Sequence, residues 1–168
     1  RGVRFGEGQV FTAFHTEAWM PCITAPDDRA TFRLTLDLPS GMTVVANGNP
    51  DAVRAGAKGR ELHQWNERHP YPAYLFGFAA GPLQCIHPDG RRPLLTFCAG
   101  ATQPASMQKI FTNVPRMIDF LETRAGVPYP EARFAELLMK KGVPQEAASY
   151  AVLPESYAAD VLEEPRED

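Results

Sequence analysis

The chain has 168 residues, of which 44% are hydrophobic and 22% are charged, and its formal net charge is −3 at pH 7. This composition is typical of an ordinary folded protein and argues against a disordered or fibrous chain. The negative charge, without a basic stripe, excludes the electrostatic footprint of a nucleic-acid-binding protein. No apolar run reaches the roughly 20 residues that a membrane helix needs, so we predict neither a nucleic-acid partner nor a membrane segment.

Strand patterns dominate the first hundred residues. Residues 31–38, TFRLTLDL, alternate strictly between apolar and polar side chains, which is typical of a strand with one buried face. Turn residues follow at 39–42, and the turn-forming pair Asn47-Gly48 ends the next predicted strand. The sequence predicts further strands at residues 10–14, 61–65, 74–80 and 94–97. These elements favour an antiparallel sandwich.

After about residue 101 the hydrophobic period changes to that of a helix. Apolar residues recur at steps of three and four between Met107 and Leu121, which indicates an amphipathic helix. Pro115 lies inside this stripe. Either the helix kinks there, or a second helix begins with Asn113 as its cap and Pro115 in its first turn.

The last segments of the chain are predicted from similar signals. Gly126 is expected to end the helical region. Residues 134–139 are predicted to form another strand. The polar, acidic tail from residue 154 to residue 168 is expected to be frayed.

Residue types that bind metals are few and wrongly spaced. None of the four histidines lies in an HExxH motif, which would place two imidazoles on one helical face. Three cysteines, Cys22, Cys85 and Cys98, fit neither a zinc pair nor a dense disulfide framework. We interpret them as buried small hydrophobic residues. The sequence also lacks a nucleophile elbow and a phosphate-binding loop, so we predict no metal site in this chain.

One carboxylate remains as a candidate for binding chemistry. Glu146 lies in the segment PQEAAS, whose small side chains would let a ligand approach closely. Carboxylate oxygens accept strong hydrogen bonds from a primary ammonium. From residue types alone, a solvated loop glutamate without a function is the alternative.

The order of several segments resembles the aminopeptidase N type of zinc metallopeptidase. Residues 11–48, from FTAFHTEAWMPC to TVVANG, are similar to the family's TQFE-like strand, FPCFDEP-like turn and KATF-type strand. Residues 71–83 resemble its strand that ends in a small-residue turn. Residues 111–130 resemble the helix and Tyr-Pro turn that lead into its catalytic domain. The resemblance extends over nearly the whole chain.

This resemblance implies a mainly β fold. A saddle-like antiparallel β-sandwich would occupy residues 1–101, and the first helix and strands of a thermolysin-like α/β catalytic domain would occupy residues 102–168. The parent protein would be a zinc aminopeptidase, and its zinc ligands would lie downstream of Asp168. The chain begins with Arg1 rather than Met, which indicates a piece of a longer protein of undetermined compartment. We expect this piece alone to hold no catalytic zinc and to be inactive.

The resemblance also implies partners and a binding segment. The partners would be the N-terminus of a peptide substrate and the remainder of the catalytic domain. In the family, a GAMEN strand follows the Tyr-Pro turn, and its Glu holds the substrate amine. The corresponding segment here reads QEAAS, with Gln145, Glu146, Ala147 and Ala148 as candidates. In one frame Glu146 takes the Glu position, and in the other frame Ala148 takes it.

A second amine-binding residue of the family comes from the TQFE-like strand. His15 matches that position, and Glu17 follows two residues later. A neutral imidazole accepts only one hydrogen bond, and a charged imidazole repels an amine. Glu17 is therefore the better candidate, and a structural histidine at a strand end is the alternative for His15.

Two other functions remain open. The degenerate QEAAS segment fits a non-catalytic relative that serves as a binding or scaffold domain, because a fold can persist after its chemistry is lost. An unrelated carbohydrate-binding sandwich would need exposed aromatic side chains on one face, and the two tryptophans are too few to support it.

Overall fold

A computed structural model describes residues 2–88, 90, 92–100, 102 and 104–163 of the chain. Ala101, at the predicted domain boundary, and residues 164–168 of the tail lie outside the described residues. In chain order the elements are β1 (Val3–Gly6), β2 (Gln9–Thr12), β3 (Arg29–Pro39), β4 (Thr43–Ala46), β5 (Asn49–Pro50), β6 (Arg54–Ala55), β7 (Arg60–Pro72), β8 (Phe78–Gly81), β9 (Gln84–Ile86), β10 (Leu94–Ala99), α1 (Pro104–Ile110), α2 (Val114–Ala125), β11 (Arg133–Met139), β12 (Gln145–Glu146), β13 (Tyr150–Pro154) and α3 (Ser156–Glu163).

Two antiparallel sheets form the first part of the chain. One has the strand order β1-β2-β8-β4, and the other has the order β3-β7-β5 with β6 also paired to β7. In β3, Phe32 is buried and Leu34 is half-buried, whereas Arg33 and Thr35 between them are exposed. The alternation in the sequence therefore predicted this strand and its buried face. The mainly β, antiparallel architecture is confirmed.

The third sheet has the order β12-β13-β11-β10-β9 and is mixed. Its central strands β10, β11 and β13 are parallel, and its two edge strands are antiparallel to their neighbours. Parallel neighbours require a crossover connection, and α1 and α2 supply it between β10 and β11. The sheet takes strands from both sides of residue 101, and a domain boundary at that residue stays a prediction.

Both faces of the third sheet are buried. On one face Leu137 and Tyr150 pack with Phe11 and Val45 of the first sheet. The other face is covered by helices: apolar residues of β10 and β11 pack with residues of α1, α2 and α3, namely Leu95, Phe97, Leu138, Met107, Ile110, Ile118 and Ala158. Because both of its faces are buried, this sheet is the middle layer of the core.

The helical stripe is divided at Pro115. Helix α1 ends at Ile110, and α2 begins at Val114 with Asn113 at its N-cap and Pro115 in its first turn. The missing N–H of proline is harmless at that position, because the first N–H groups of a helix have no partner within it. Of the two alternatives drawn from the sequence, the separate second helix is therefore correct.

Gly126 ends α2 as predicted, and we expect its replacement by alanine to cost about 1 kcal/mol of folding free energy. Its φ is 72°, its N–H donates to the Glu122 carbonyl, and a Cβ there would meet no atom within 4 Å. The cost would therefore come from the left-handed backbone alone. Urea unfolding would measure it. Gly126→Asn should cost less, because asparagine tolerates this conformation better than alanine, and an equal cost for both variants would contradict this explanation.

The interpretation of the cysteines is wrong for two of the three. Cys85 and Cys98 lie directly opposite each other on β9 and β10, with their Cα atoms 4.1 Å apart, and form a disulfide bond. Cys22 is free and half-buried. The pairing depends on strand register, which the spacing of cysteines in a sequence does not reveal.

The expectation of a frayed tail is also wrong for residues 156–163, which form α3. Ala158 is buried and Val161 is partly buried against the helix-covered face of the third sheet. The two residues are three apart and so share one face of a helix. Among the described residues, none of the helices combines the length and the apolar character needed to cross a membrane.

Candidate functional site

Two segments that are distant in sequence meet at a narrow crevice. Residues between 12 and 19 line one side, residues 145–147 line the other, and Tyr150 also contributes. The backbone N–H of Phe14 donates a hydrogen bond to Gln145 Oε1 at 3.0 Å, which joins the two sides. The crevice has a volume of about 10 Å³, which is close to the smallest space that holds a water molecule. It therefore suits one small polar group, such as an ammonium.

The backbone is strained at the first side of the crevice. Phe14 and His15 both have left-handed conformations, with φ of 52° and 49°. Such conformations cost non-glycine residues of order 1 kcal/mol each, and they are concentrated at ligand sites and switch regions. Gln145 accepts the hydrogen bond from the Phe14 N–H and so stabilises this unusual turn.

His15 and Glu17 contact each other beside the crevice. Their side chains are about half exposed or more, and His15 Nδ1 lies 3.1 Å from Glu17 Oε1. The pKa of Glu17 is lowered first by its own backbone N–H and second by the His15 side chain. Glu17 is therefore an ionised, accessible carboxylate, and His15 is its partner.

Gln145 and Glu146 form β12, which pairs with β13 through Gln145–Val152 and Glu146–Ala151. Both ends of the Gln145 side-chain amide are hydrogen-bonded, because its Oε1 accepts from the Phe14 N–H and its Nε2 donates to the Glu146 carbonyl at 2.7 Å. Glu146 is exposed and lines the crevice. It is the carboxylate of the QEAAS segment that can meet a ligand there.

The two alanines that follow are held by their backbones. The Ala147 N–H donates to the Tyr150 carbonyl at 2.8 Å, and the Ala148 N–H donates to the Leu75 carbonyl at 3.2 Å. The Ala148 carbonyl accepts from the Tyr129 hydroxyl at 3.2 Å. Ala147 lines the crevice, whereas Ala148 is not among its lining residues.

Trp19 is a crevice residue that the sequence analysis did not single out. Its ring packs edge-on against Phe32 and Phe78, with centroids 6.4 and 5.9 Å away. Its buried Nε1–H has no hydrogen-bond partner among the described residues, although such a group ordinarily costs about 1–3 kcal/mol when it is unpaired. No sequence signal distinguishes this tryptophan from an ordinary core residue.

The crevice does not fit the zinc ion that the resemblance implies for a parent enzyme. In the described part of the chain, metal-binding side chains are grouped in threes at Glu67, His69 and Glu131, and none of these residues lines the crevice. His15, Glu17 and Glu146 do not form such a group. Among the residues that line the crevice, the acidic one is Glu146.

The known proteins to which the chain is similar are peptidases. Residues 8–75 match the Peptidase M1 N-terminal domain. Leucine aminopeptidase 2 of Aspergillus niger is 35% identical over 74 residues, which are 42% of this chain and 12% of that protein. Aminopeptidase N of Lactobacillus delbrueckii subsp. lactis is 29% identical over 135 residues, 78% of this chain and 15% of that protein. The matched part is thus a small fraction of either relative.

Solved structures of peptidases have a fold similar to that of this chain. An M1 zinc metallopeptidase from Deinococcus radiodurans has a TM-score of 0.78 and 22% identity, over 91% of this chain and 37% of that chain. A two-domain M1 zinc metallopeptidase variant bound to L-arginine has a TM-score of 0.79 and 22% identity, over 92% of this chain and 38% of that chain. Residues 8–75 thus match the N-terminal domain of M1 peptidases, and the chain is similar in sequence to aminopeptidases and in fold to M1 zinc metallopeptidases.

Proposed function

We propose that this chain is part of a zinc-dependent aminopeptidase and that its crevice binds the free N-terminal amine of a peptide. The observation that carries this proposal is the meeting of Glu146 with Phe14 and Thr16 at a space for one small polar group; His15 and Glu17 do not line this space but are the chain neighbours of residues that do. An ammonium has the size and charge for that space. Carboxylates bind it through charge-assisted hydrogen bonds.

Each candidate residue has its own part in this proposal. Glu146 supplies an exposed carboxylate at the crevice, and the ionised Glu17 adds negative charge nearby. Gln145 holds the strained Phe14 turn against β12, and its Oε1 keeps one further acceptor site that could face the amine. Ala147, which lines the crevice, and Ala148 beside it have small side chains and hydrogen-bonded backbones, so they leave room for a ligand to enter the crevice.

The related proteins support the choice of ligand. Their names describe leucine aminopeptidases and aminopeptidase N, and one structural neighbour is bound to L-arginine, which carries a free α-amine. In this proposal the catalytic zinc and the general base belong to parts of the enzyme outside the 168 residues, and a bound zinc would activate water for attack on the first peptide bond. The chain's own contribution is to bind and orient the substrate amine.

We expect the chain to bind leucinamide and to bind it at least about tenfold more weakly after Glu146→Gln, because a hydrogen bond to a charged group contributes about 1.5–3 kcal/mol. NMR titration of the backbone amides would measure both affinities and locate the ligand. N-acetyl-leucinamide, which has no ammonium, is the matched ligand control. Asp160→Asn, which neutralises an exposed acid of α3, is the protein control and should bind like the wild type.

Equal binding of the acetylated ligand, or unchanged binding after Glu146→Gln, would contradict this role. No binding of any amine would favour the scaffold function instead. A separate assay with leucine p-nitroanilide should detect no turnover by the 168 residues alone. Turnover would contradict the proposed division between amine binding in this chain and catalysis elsewhere.

A further inference from the structure

A second polar cluster, formed by Glu67, His69 and Glu131, lies where β7 meets the loop before β11. The carboxylates are almost fully buried, with side chains of Glu67 and Glu131 exposed by 1% and 4%, whereas the His69 side chain is 59% exposed. One ligand atom from each of the three residues lies within 4.8 Å of the other two. Two buried carboxylates next to an imidazole therefore share one small volume.

Hydrogen bonds fix the orientation of these carboxylates. Glu131 Oε1 accepts from the Tyr71 hydroxyl at 2.6 Å and lies 2.7 Å from His69 Nδ1. Glu67 Oε1 accepts from the backbone N–H of His69 at 2.9 Å. Side chains that bind metals are commonly oriented by such outer hydrogen bonds.

The second oxygen of Glu67 is left without a partner. Glu67 Oε2 is fully buried and makes no hydrogen bond among the described residues. It belongs to the same carboxylate that lies beside His69 and Glu131. An unsatisfied buried carboxylate oxygen is costly, and two buried carboxylates at close range repel each other. A cation between them would remove both costs.

We propose that Glu67, His69 and Glu131 bind a divalent transition-metal ion of the Zn²⁺ type, which ties β7 to the loop before β11. This inference does not depend on the proposed amine site, with which the cluster shares no residue. The ligand set has one imidazole and two carboxylates, and all three are ordinary zinc ligands. An imidazole favours transition metals over Mg²⁺ and Ca²⁺, which prefer oxygen ligands alone.

The geometry requires only a small adjustment. Ligand atoms around a tetrahedral zinc ion, with bonds of about 2.0–2.2 Å, are about 3.3 Å apart. To reach this spacing, His69 Nδ1 would move about 0.6 Å closer to Glu67 Oε1, which lies 3.9 Å away, and about 0.6 Å farther from Glu131 Oε1, which lies 2.7 Å away. His69 is exposed enough to make most of that movement. A solvent-facing cavity of about 480 Å³, lined by His69 and Glu131 and also by Arg92 and Glu122, gives an ion access to these two of the three ligands.

Titration calorimetry of the protein with ZnCl₂ would test this proposal. We expect one Zn²⁺ per chain, and at least tenfold weaker binding after His69→Ala, a substitution at an exposed side chain that should leave the fold intact. His15→Ala is the matched control, because His15 is likewise an exposed histidine that pairs with a glutamate, but it belongs to no group of three metal-binding side chains among the described residues. A Cys22→Ser background would remove the free thiol as a competing ligand.

Further measurements distinguish a metal site from a structural hydrogen-bond cluster. Glu67→Gln keeps the shape of the side chain and should also weaken Zn²⁺ binding at least tenfold, with folding checked by circular dichroism. Zn²⁺ should raise the thermal midpoint of the wild type and leave that of His69→Ala unchanged. The proposal would be overturned by a wild-type Kd weaker than about 1 mM, by His69→Ala binding as tightly as the wild type, or by Mg²⁺ binding as tightly as Zn²⁺. Glu146→Gln should have no effect on any of these readouts.

Discussion

Replacement of Asn47 by alanine should lower the free energy of unfolding by about 1–3 kcal/mol, because it leaves the buried Gly77 N–H without its partner and removes one of the hydrogen bonds to the Leu75 carbonyl. Asn47 is fully buried. Its Nδ2 donates to the Leu75 carbonyl at 2.9 Å, and its Oδ1 accepts from the Gly77 N–H at 2.7 Å. The side chain therefore holds the segment before β8 by both a donor and an acceptor.

The same segment supports the crevice. The Leu75 carbonyl also accepts from the Ala148 N–H, and the N–H of Gly48 donates to the Ser149 hydroxyl at 3.0 Å. Asn47→Ala should consequently weaken leucinamide binding as well as stability. Urea unfolding followed by tryptophan fluorescence would measure the loss of stability. Asn49→Ala, at an exposed position two residues later, should cost less than about 0.5 kcal/mol, and equal costs for the two variants would contradict this explanation.

Replacement of Glu136 by glutamine should stabilise the protein by about 2–3 kcal/mol at pH 8 and by less than about 1 kcal/mol at pH 5. Glu136 lies in β11, between Phe134 and Leu138 on the helix-covered face of the third sheet. Burial raises its pKa from 4.5 to about 7. The folded protein therefore keeps this proton in a pH range where the unfolded chain has lost it.

The sign of the effect follows from proton binding. Between about pH 4.5 and pH 7 the folded state binds more protons than the unfolded state, so this group lowers stability as the pH rises through that window. Glutamine does not titrate and removes the effect. Urea unfolding of both proteins at pH 5 and pH 8 would measure the difference. Asp160→Asn, at an exposed position, should show a much smaller dependence, and an equal gain for Glu136→Gln at both pH values would contradict the prediction.

Local patterns in the sequence were sufficient for most individual elements. The alternation through Phe32 and Leu34 identified a strand because only one face of β3 is buried. The position of Pro115 allowed two helical arrangements, since proline is tolerated both at a kink and in a first turn. The order of segments indicated the resemblance to M1 peptidases and the antiparallel fold, because that order carries more information than any single motif.

Features that depend on pairing between distant segments could not be predicted. The disulfide requires the register that places Cys85 opposite Cys98, and the parallel pairing of β10 with β11 spans two helices. Helix α3 is only eight residues long, too short for its apolar residues to show a clear helical period within an otherwise acidic tail. The proposed metal-binding cluster joins His69 to Glu131 across 62 residues. Sequence motifs for metal sites rely on short spacings between ligands and do not relate residues so far apart.

The candidate site was predicted as a set of segments, and its arrangement was not. Gln145, Glu146 and the strand end near His15 were chosen from a resemblance, and the structure brings their segments to one crevice. The structure adds that Gln145 holds the Phe14 turn and that Trp19 has an unpaired N–H. Hydrogen bonds of this kind depend on backbone angles, such as the positive φ of Phe14, which residue types do not specify.

The hydrogen bond between Phe14 and Gln145 has a consequence for how the protein acquires its binding site. It joins residues 131 positions apart, and so does the bond from the Lys140 N–H to Gln9 Oε1. Contacts between such distant residues close large loops and are slow to form during folding. A nascent chain would therefore complete its first two sheets before the crevice exists. Ligand affinity measured during refolding would therefore show when the last strands form, not when the first two sheets form.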